Sequence, residues 1–120
     1  MKKFKNFTPH TVNIYDADGK NIILSIPVET DTDGKPVSIR VSEITEPADP
    51  INGIPTVTKS YGECIGLPPY EPGVILIVSV IVLQADTERQ RSDLICPDTG
   101  TESAVRDAKG IILGVRRFQR

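Results

Sequence analysis

The run Val74-Ile75-Leu76-Ile77-Val78-Ser79-Val80-Ile81-Val82-Leu83 constrains this chain more than any other segment. It is far shorter than the roughly 20 apolar residues that cross a bilayer, and longer than one ordinary strand of about 5–6 residues. Ser79 divides it. Val74 to Val78 reads as a strand buried on both faces, and the Ser79 hydroxyl is placed to cap a helix running to about Gln90. Val78, Ile81, Val82 and Ala85 recur at helical spacing within that stretch. Asp86, Glu88, Arg89, Gln90 and Arg91 form a solvated end, with Arg89 and Arg91 near the negative end of the helix dipole. Asp93 to Cys96 then reads as a short strand stopped by Pro97. A polar loop carrying Asp98, Thr99, Arg106 and Asp107 follows, and Asp107-Ala108-Lys109-Gly110 turns into a last strand, Ile111 to Val115.

The first half is written in β-sheet patterns. Thr11 to Tyr15 alternates, Asp18-Gly19 is a hairpin turn, and Asn21 to Ile26 is rich in β-branched residues, so the chain opens with a hairpin. Val37, Ile39 and Val41 mark a half-buried strand from Pro36 to Ser42. Thr45 to Ile54 carries so much proline and glycine that it reads as a polar, mobile loop. Ile54 to Ser60 reads as a strand, and Tyr61 to Pro69 as repeated turns. Together these elements predict an α+β fold, with a curved and mostly antiparallel sheet, or partial barrel, of about six or seven strands and one main helix.

The chain has 120 residues, enough for one domain over 1–120. With 25% charged residues and a net charge of -2, it is neither a disordered tail nor a binder of duplex nucleic acid. The basic residues Lys2, Lys3, Lys5, Arg116, Arg117 and Arg120 sit at the two ends, and would form one basic face if the terminal strands were neighbours. Cys64 and Cys96 lie far apart, with no spacing that writes a disulfide framework or a zinc site. No apolar core follows the basic start Met1-Lys2-Lys3-Phe4-Lys5, so a secretion signal is not expected. The expectation is a reduced, cytoplasmic protein without a membrane span, a metal or a cofactor.

His10 is the single histidine, so a general base titrating near neutrality would have to be this residue. An imidazole at that strand entrance can equally serve to close it through backbone hydrogen bonds. Ser79, His10 and Asp98 can be drawn as a triad, but no G-x-S-x-G elbow supports one. Asp98-Thr99-Gly100 matches the tripeptide of aspartic proteases once only, so two chains would have to pair their carboxylates. The helix placed just before it argues against such an all-β enzyme. A plainer reading is an Asx turn after Pro97, with Gly100 supplying positive φ.

Arg106, Arg116 and Arg117 can form surface ion pairs, or present planar forks to a phosphate. Neither a P-loop nor a G-x-G-x-x-G motif is present. Tyr61-Gly62-Glu63 can set a stacking ring beside a ribose-binding carboxylate. Tyr61 can also simply plug the core.

Asn6 to Ile14, with Tyr61-Gly62-Glu63, Gly66-Leu67-Pro68, Val78-Ser79, Pro97-Asp98-Thr99-Gly100 and Gly114-Val115-Arg116, resembles a family of small uncharacterised proteins of phages, prophages and actinobacteria. The resemblance implies a phage-associated context, hence the host cytoplasm, and assigns no catalytic residue. Small phage proteins without enzyme motifs are often inhibitors, and one class sequesters nucleotide immune signals between subunits. The expected function is therefore binding of a nucleotide-like small molecule by a homo-oligomer acting as a sponge against defence signalling. Tyr61, Glu63, Thr99, Arg106, Arg116 and Arg117 are the expected ligand contacts. The alternatives are a small hydrolase or lyase, with His10 as base and Asp98 or Glu63 as its partner, and a protein-binding inhibitor or assembly factor.

Overall fold

The apolar run divides at Ser79. In the computed structural model, which describes residues 2–37, 39–85 and 91–120, Val74–Ile77 is a strand and Val80–Ala85 is helix α1. The Val82 amide donates to Ser79 Oγ at 3.5 Å and the Leu83 amide to Ser79 O at 3.1 Å, which satisfies the first turn of α1 as the serine predicts. The expected continuation to Gln90 lies outside the described residues. In chain order the strands are β1 (Lys3–Asn6), β2 (Val12–Tyr15), β3 (Ile22–Ile26), β4 (Arg40–Ile51), β5 (Ile54–Ile65), β6 (Val74–Ile77), β7 (Leu94–Pro97), β8 (Ala104–Arg106), β9 (Ile112–Val115) and β10 (Phe118–Gln119).

The fold is α+β, and among the described residues its ten strands form three sheets rather than one curved sheet. One four-stranded sheet runs β1-β6-β7-β10, a second runs β3-β2-β9-β8, and β4 pairs only with β5. The expected antiparallel character holds for β2 with β3, β4 with β5, β8 with β9 and β7 with β10. Pairs β1 with β6, β6 with β7 and β2 with β9 are parallel, so the sheets are mixed.

Strand alternation makes three layers of this. Ile75, Ile77 and Ile95 point from β6 and β7 toward Val12, Ile14, Ile26 and Val115 of the second sheet. Val74, Leu76, Leu94 and Cys96 point the other way, onto Val82 and Leu83 of α1 and onto Ile39, Val41, Cys64 and Leu67 at the root of the β4–β5 ribbon. Strands β6 and β7 are therefore covered on both faces, which is why they carry no polar alternation. Burial raises the pKa of the Cys96 thiol, and neither Cys64 nor Cys96 is in a disulfide. The terminal strands β1 and β10 lie at opposite edges of the first sheet, so the premise for one basic face is not met, although the rings of Phe4 and Phe118 sit 5.6 Å apart. No described helix is long and apolar enough to cross a membrane.

The segment expected to be a mobile loop is instead half of a long hairpin. Asn52 (φ 52°) and Gly53 (φ 78°) supply the two left-handed residues of a tight turn between the twelve-residue strands β4 and β5. Pro47, Pro50 and Pro55 are tolerated because both strands are edges. The run read as turns from Tyr61 likewise continues β5 as far as Ile65.

Asp93 is buried beside β6, where its carbonyl accepts from the Leu76 amide at 2.8 Å, and its carboxylate receives a two-pronged Arg91 fork, with Nε to Oδ1 and Nη2 to Oδ2 both at 2.8 Å. Arg91 Nη2 also donates to Pro68 O at 2.9 Å, which ties the segment after β5 to this pair. That hydrogen-bonding guanidinium holds the Asp93 pKa below its ordinary value. A lowered folded-state pKa stabilises fully above the unfolded value of about 3.9, and the contribution is lost as pH falls through the folded value. Asp93→Asn should lower Tm at neutral pH, and the gap between variant and parent should narrow as pH drops below about 4. Thermal melts across pH check this.

Candidate functional site

The loop between β1 and β2 carries Thr8-Pro9-His10, and a buried asparagine shapes it. Asn6, the last residue of β1, is fully buried. Its Nδ2 donates to His10 O at 2.9 Å and to Ile26 O at 3.0 Å, while its Oδ1 accepts from the Thr8 amide at 2.9 Å. The Thr8 hydroxyl lies 2.6 Å from Asn6 Oδ1 and 2.9 Å from His10 O, and its single proton serves one of them. The Glu29 amide donates to Asn6 O at 2.8 Å. One side chain thus joins the end of β1 to β3 and folds the loop back on itself, with its amide donors and acceptor satisfied.

A second buried polar residue shapes the opposite wall. Ser103 Oγ accepts from the amides of Arg116 and Arg117, each at 3.2 Å, and Ser103 O accepts from the Arg116 amide at 2.9 Å. The Ser103 and Ala104 amides donate to Gly100 O at 3.0 and 2.9 Å. Asp98 Oδ1 accepts from the Gly100 amide at 2.9 Å, forming the expected Asx turn. Gly100 is not among the residues with positive φ, so the turn needs no left-handed glycine there. Asp98 Oδ2 accepts from Arg117 Nε at 2.6 Å, and that bond, helped by the Gly100 amide, lowers the Asp98 pKa.

Between the two walls lies a cavity of about 180 Å³, lined by residues 8–13, Pro97, Thr99 and residues 112–115. His10 and Thr99 bring polar groups to it, while Pro9, Pro97, Ile112 and Leu113 make it mainly apolar. Gly114 matters to its floor. A Cβ there would run into the Asn13 carbonyl and the Tyr15 ring, so only glycine lets β9 lie this close to β2.

Of the residues singled out in the sequence, His10 and Thr99 meet in this cavity, and Asp98 and Arg117 stand beside it as an ion pair. The side chain of Arg117 is 57% exposed. Arg106 and Arg116 do not line it. Arg106 Nη1 donates to Gly110 O at 2.7 Å and so closes the β8–β9 turn. Arg116 lies against Gly19 and donates from Nη1 to the carbonyls of Glu102 and Ala104, both at 3.4 Å, while its buried Nε has no partner among the described residues. Tyr61 and Glu63 share one face of β5, with Gly62 packed against Ser42, so Gly62 is a strand residue rather than a turn glycine. They line a separate concavity of about 520 Å³ with Cys64, Leu67, Ala85 and Arg91.

Asn6 and Ser103 were not read as determinants of a site. Asn6 opens the Asn6-Phe7-Thr8-Pro9-His10 motif and had a signal to offer, whereas Ser103 is one serine in a polar loop and had none. Among the described residues, no group of three or more His, Cys, Asp or Glu could hold a metal ion. No protein-family model, curated protein or solved structure matches the chain.

Asn6→Ala would strand the buried Ile26 carbonyl and the half-buried Thr8 amide, at about 1–3 kcal/mol for a group left buried and unpaired, while the Thr8 hydroxyl can still donate to His10 O. A loss of about 2–3 kcal/mol is expected in denaturant unfolding. Asn6→Asp keeps the acceptor but turns an oxygen toward two carbonyls, so near neutral pH it should be no milder.

Proposed function

We propose that this chain is a phage-associated binding protein that holds a nucleotide-like small molecule at the cavity between the Thr8-Pro9-His10 loop and the Pro97–Thr99 turn. The observation that carries the reading is the convergence of His10 and Thr99, from opposite ends of the sequence, on one mainly apolar cavity. Such cavities, with few and well-placed polar groups, are the usual form of a small-molecule site. At about 180 Å³ it holds a base-sized ring rather than a whole nucleotide. The sugar and phosphate would lie outside, toward the exposed Arg117, which its Asp98 partner keeps beside Thr99.

Holding is favoured over turnover by the character of the lining. Among the described residues, no carboxylate lines the cavity with His10. Asp98 has one oxygen on the Gly100 amide and the other on Arg117, and its lowered pKa keeps it from donating a proton near neutrality. Glu63 lines the other concavity. A histidine with no acid partner in reach suits recognition, and the resemblance to small phage proteins fits a role in sequestering a nucleotide-derived signal.

Thermal shift and native mass spectrometry with a panel of nucleotides and cyclic nucleotide signals test the proposal. At a hundredfold excess over Kd, a true ligand should stabilise the fold by roughly 2.7 kcal/mol. His10→Ala and Thr99→Val should each abolish most of that shift, Arg117→Ala should weaken binding of phosphorylated compounds, and Arg106→Ala should leave it unchanged. A chain that ignores every compound, or a shift that survives both His10→Ala and Thr99→Val, would sink the reading. Chemical conversion of a compound that binds would replace it with catalysis.

A further inference from the structure

The chain exposes too much surface for a monomer of its size. It has a mass of 13.1 kDa and an accessible surface of 8464 Å², where a compact monomer of that mass exposes roughly 6,400 Å². Its radius of gyration is 17.0 Å, against about 13.6 Å for a compact chain of this length. The excess of roughly 2,000 Å² falls in the range that each partner buries in an obligate dimer, on the order of 1,000 to 2,500 Å².

The β4–β5 arm accounts for the extension. An isolated two-stranded ribbon is at best marginally stable in water, and among the described residues this one pairs with no other strand. At its tip Ile51 and Ile54, opposite each other in register, are 62% and 65% exposed, and Val57 is 50% exposed. At its root, between the ribbon and α1, a groove of about 440 Å³ is walled mainly by apolar side chains, Ile39, Val41, Tyr61, Ile81 and Val82, with Glu43 and Ser79 as its polar members. Tip and root are two uncovered apolar surfaces on one stiff element. At about 3.3 Å per residue they lie roughly 25 Å apart, so the tip cannot fold onto its own root.

We propose that the arm docks on a second copy of this chain, with the tip isoleucines of each subunit seated in the root groove of the other. A twofold axis through the middle of two antiparallel arms satisfies both surfaces at once, as a self-complementary interface requires. The contact is through side chains on the ribbon faces. Pro47, Pro50 and Pro55 interrupt the rows of edge amides, which works against strand-to-strand pairing between copies. This assembly does not depend on the ligand reading.

Sedimentation of the full chain, with the Ile51→Ser/Ile54→Ser and Ile81→Arg variants, tests it. The parent should be a dimer at micromolar concentration, and each variant should associate at least about tenfold more weakly while keeping the parent circular dichroism spectrum, since all three side chains are exposed. An equimolar mixture of the two variants should partly recover dimer, because one tip and one groove remain intact in the mixed pair. A parent that stays monomeric overturns the proposal and leaves the arm as a surface for a different protein. A dimer indifferent to the tip substitutions, or one weakened by them but not by Ile81→Arg, overturns the tip-to-groove contact.

Discussion

Two short parallel strands with no wet face organise this protein. Leu76, Ile77, Leu94 and Ile95 are almost wholly removed from solvent, and because alternate residues of β6 and β7 serve opposite cores, both layers must be present for either strand to be stable. Burying each such side chain contributes about 1.5–3 kcal/mol. The second sheet, α1 and the ribbon root are covers for this pair. What remains uncovered, above all the long ribbon, is then conspicuous.

Polar groups sealed at the margins of that pair do the positioning. Asn6, Asp93 and Ser103 are buried; Asn6 and Ser103 answer backbone groups that a layered core would otherwise strand, and Asp93 answers the Arg91 guanidinium. Such residues are costly unless fully satisfied, and their partners are what fix loops in place. Asn6 holds the His10 loop, Ser103 holds the junction of β9 and β10, and the cavity is the space left between them. Its shape follows from hydrogen bonding more than from apolar packing.

Much of the fold could be read from residue patterns where burial is uniform or alternation clean. The β6 strand, the Ser79 cap and the first hairpin were legible for that reason, as was the Asx turn at Asp98. The ribbon was not, because the proline and glycine between Thr45 and Ile54 read together as loop, whereas Pro47 and Pro50 forbid only a central strand and Asn52-Gly53 is the hairpin turn. Strand β8 is three residues long and too short to show a period. The pairing of His10 with Thr99 depends on which strands become neighbours, and nothing local encodes that β2 lies against β9. Tyr61 and Glu63 are an aromatic and an acid around a glycine, yet they share their concavity with Arg91 at the root of the ribbon and not with Arg106, Arg116 or Arg117.

The parallel register also bears on the order in which the chain can assemble. Lys3 pairs opposite Val74, and Ile14 opposite Val115, so β1, and the edge of β2 away from its hairpin partner β3, wait for partners that leave the ribosome much later. Contacts of such sequence separation are slow to form because a long loop must close before they give any return. The ribbon, by contrast, is joined by a two-residue turn and can form as soon as it emerges. During synthesis the ribbon therefore precedes β6, β7 and α1, against which its root packs, and both four-stranded sheets are completed only by the last strands.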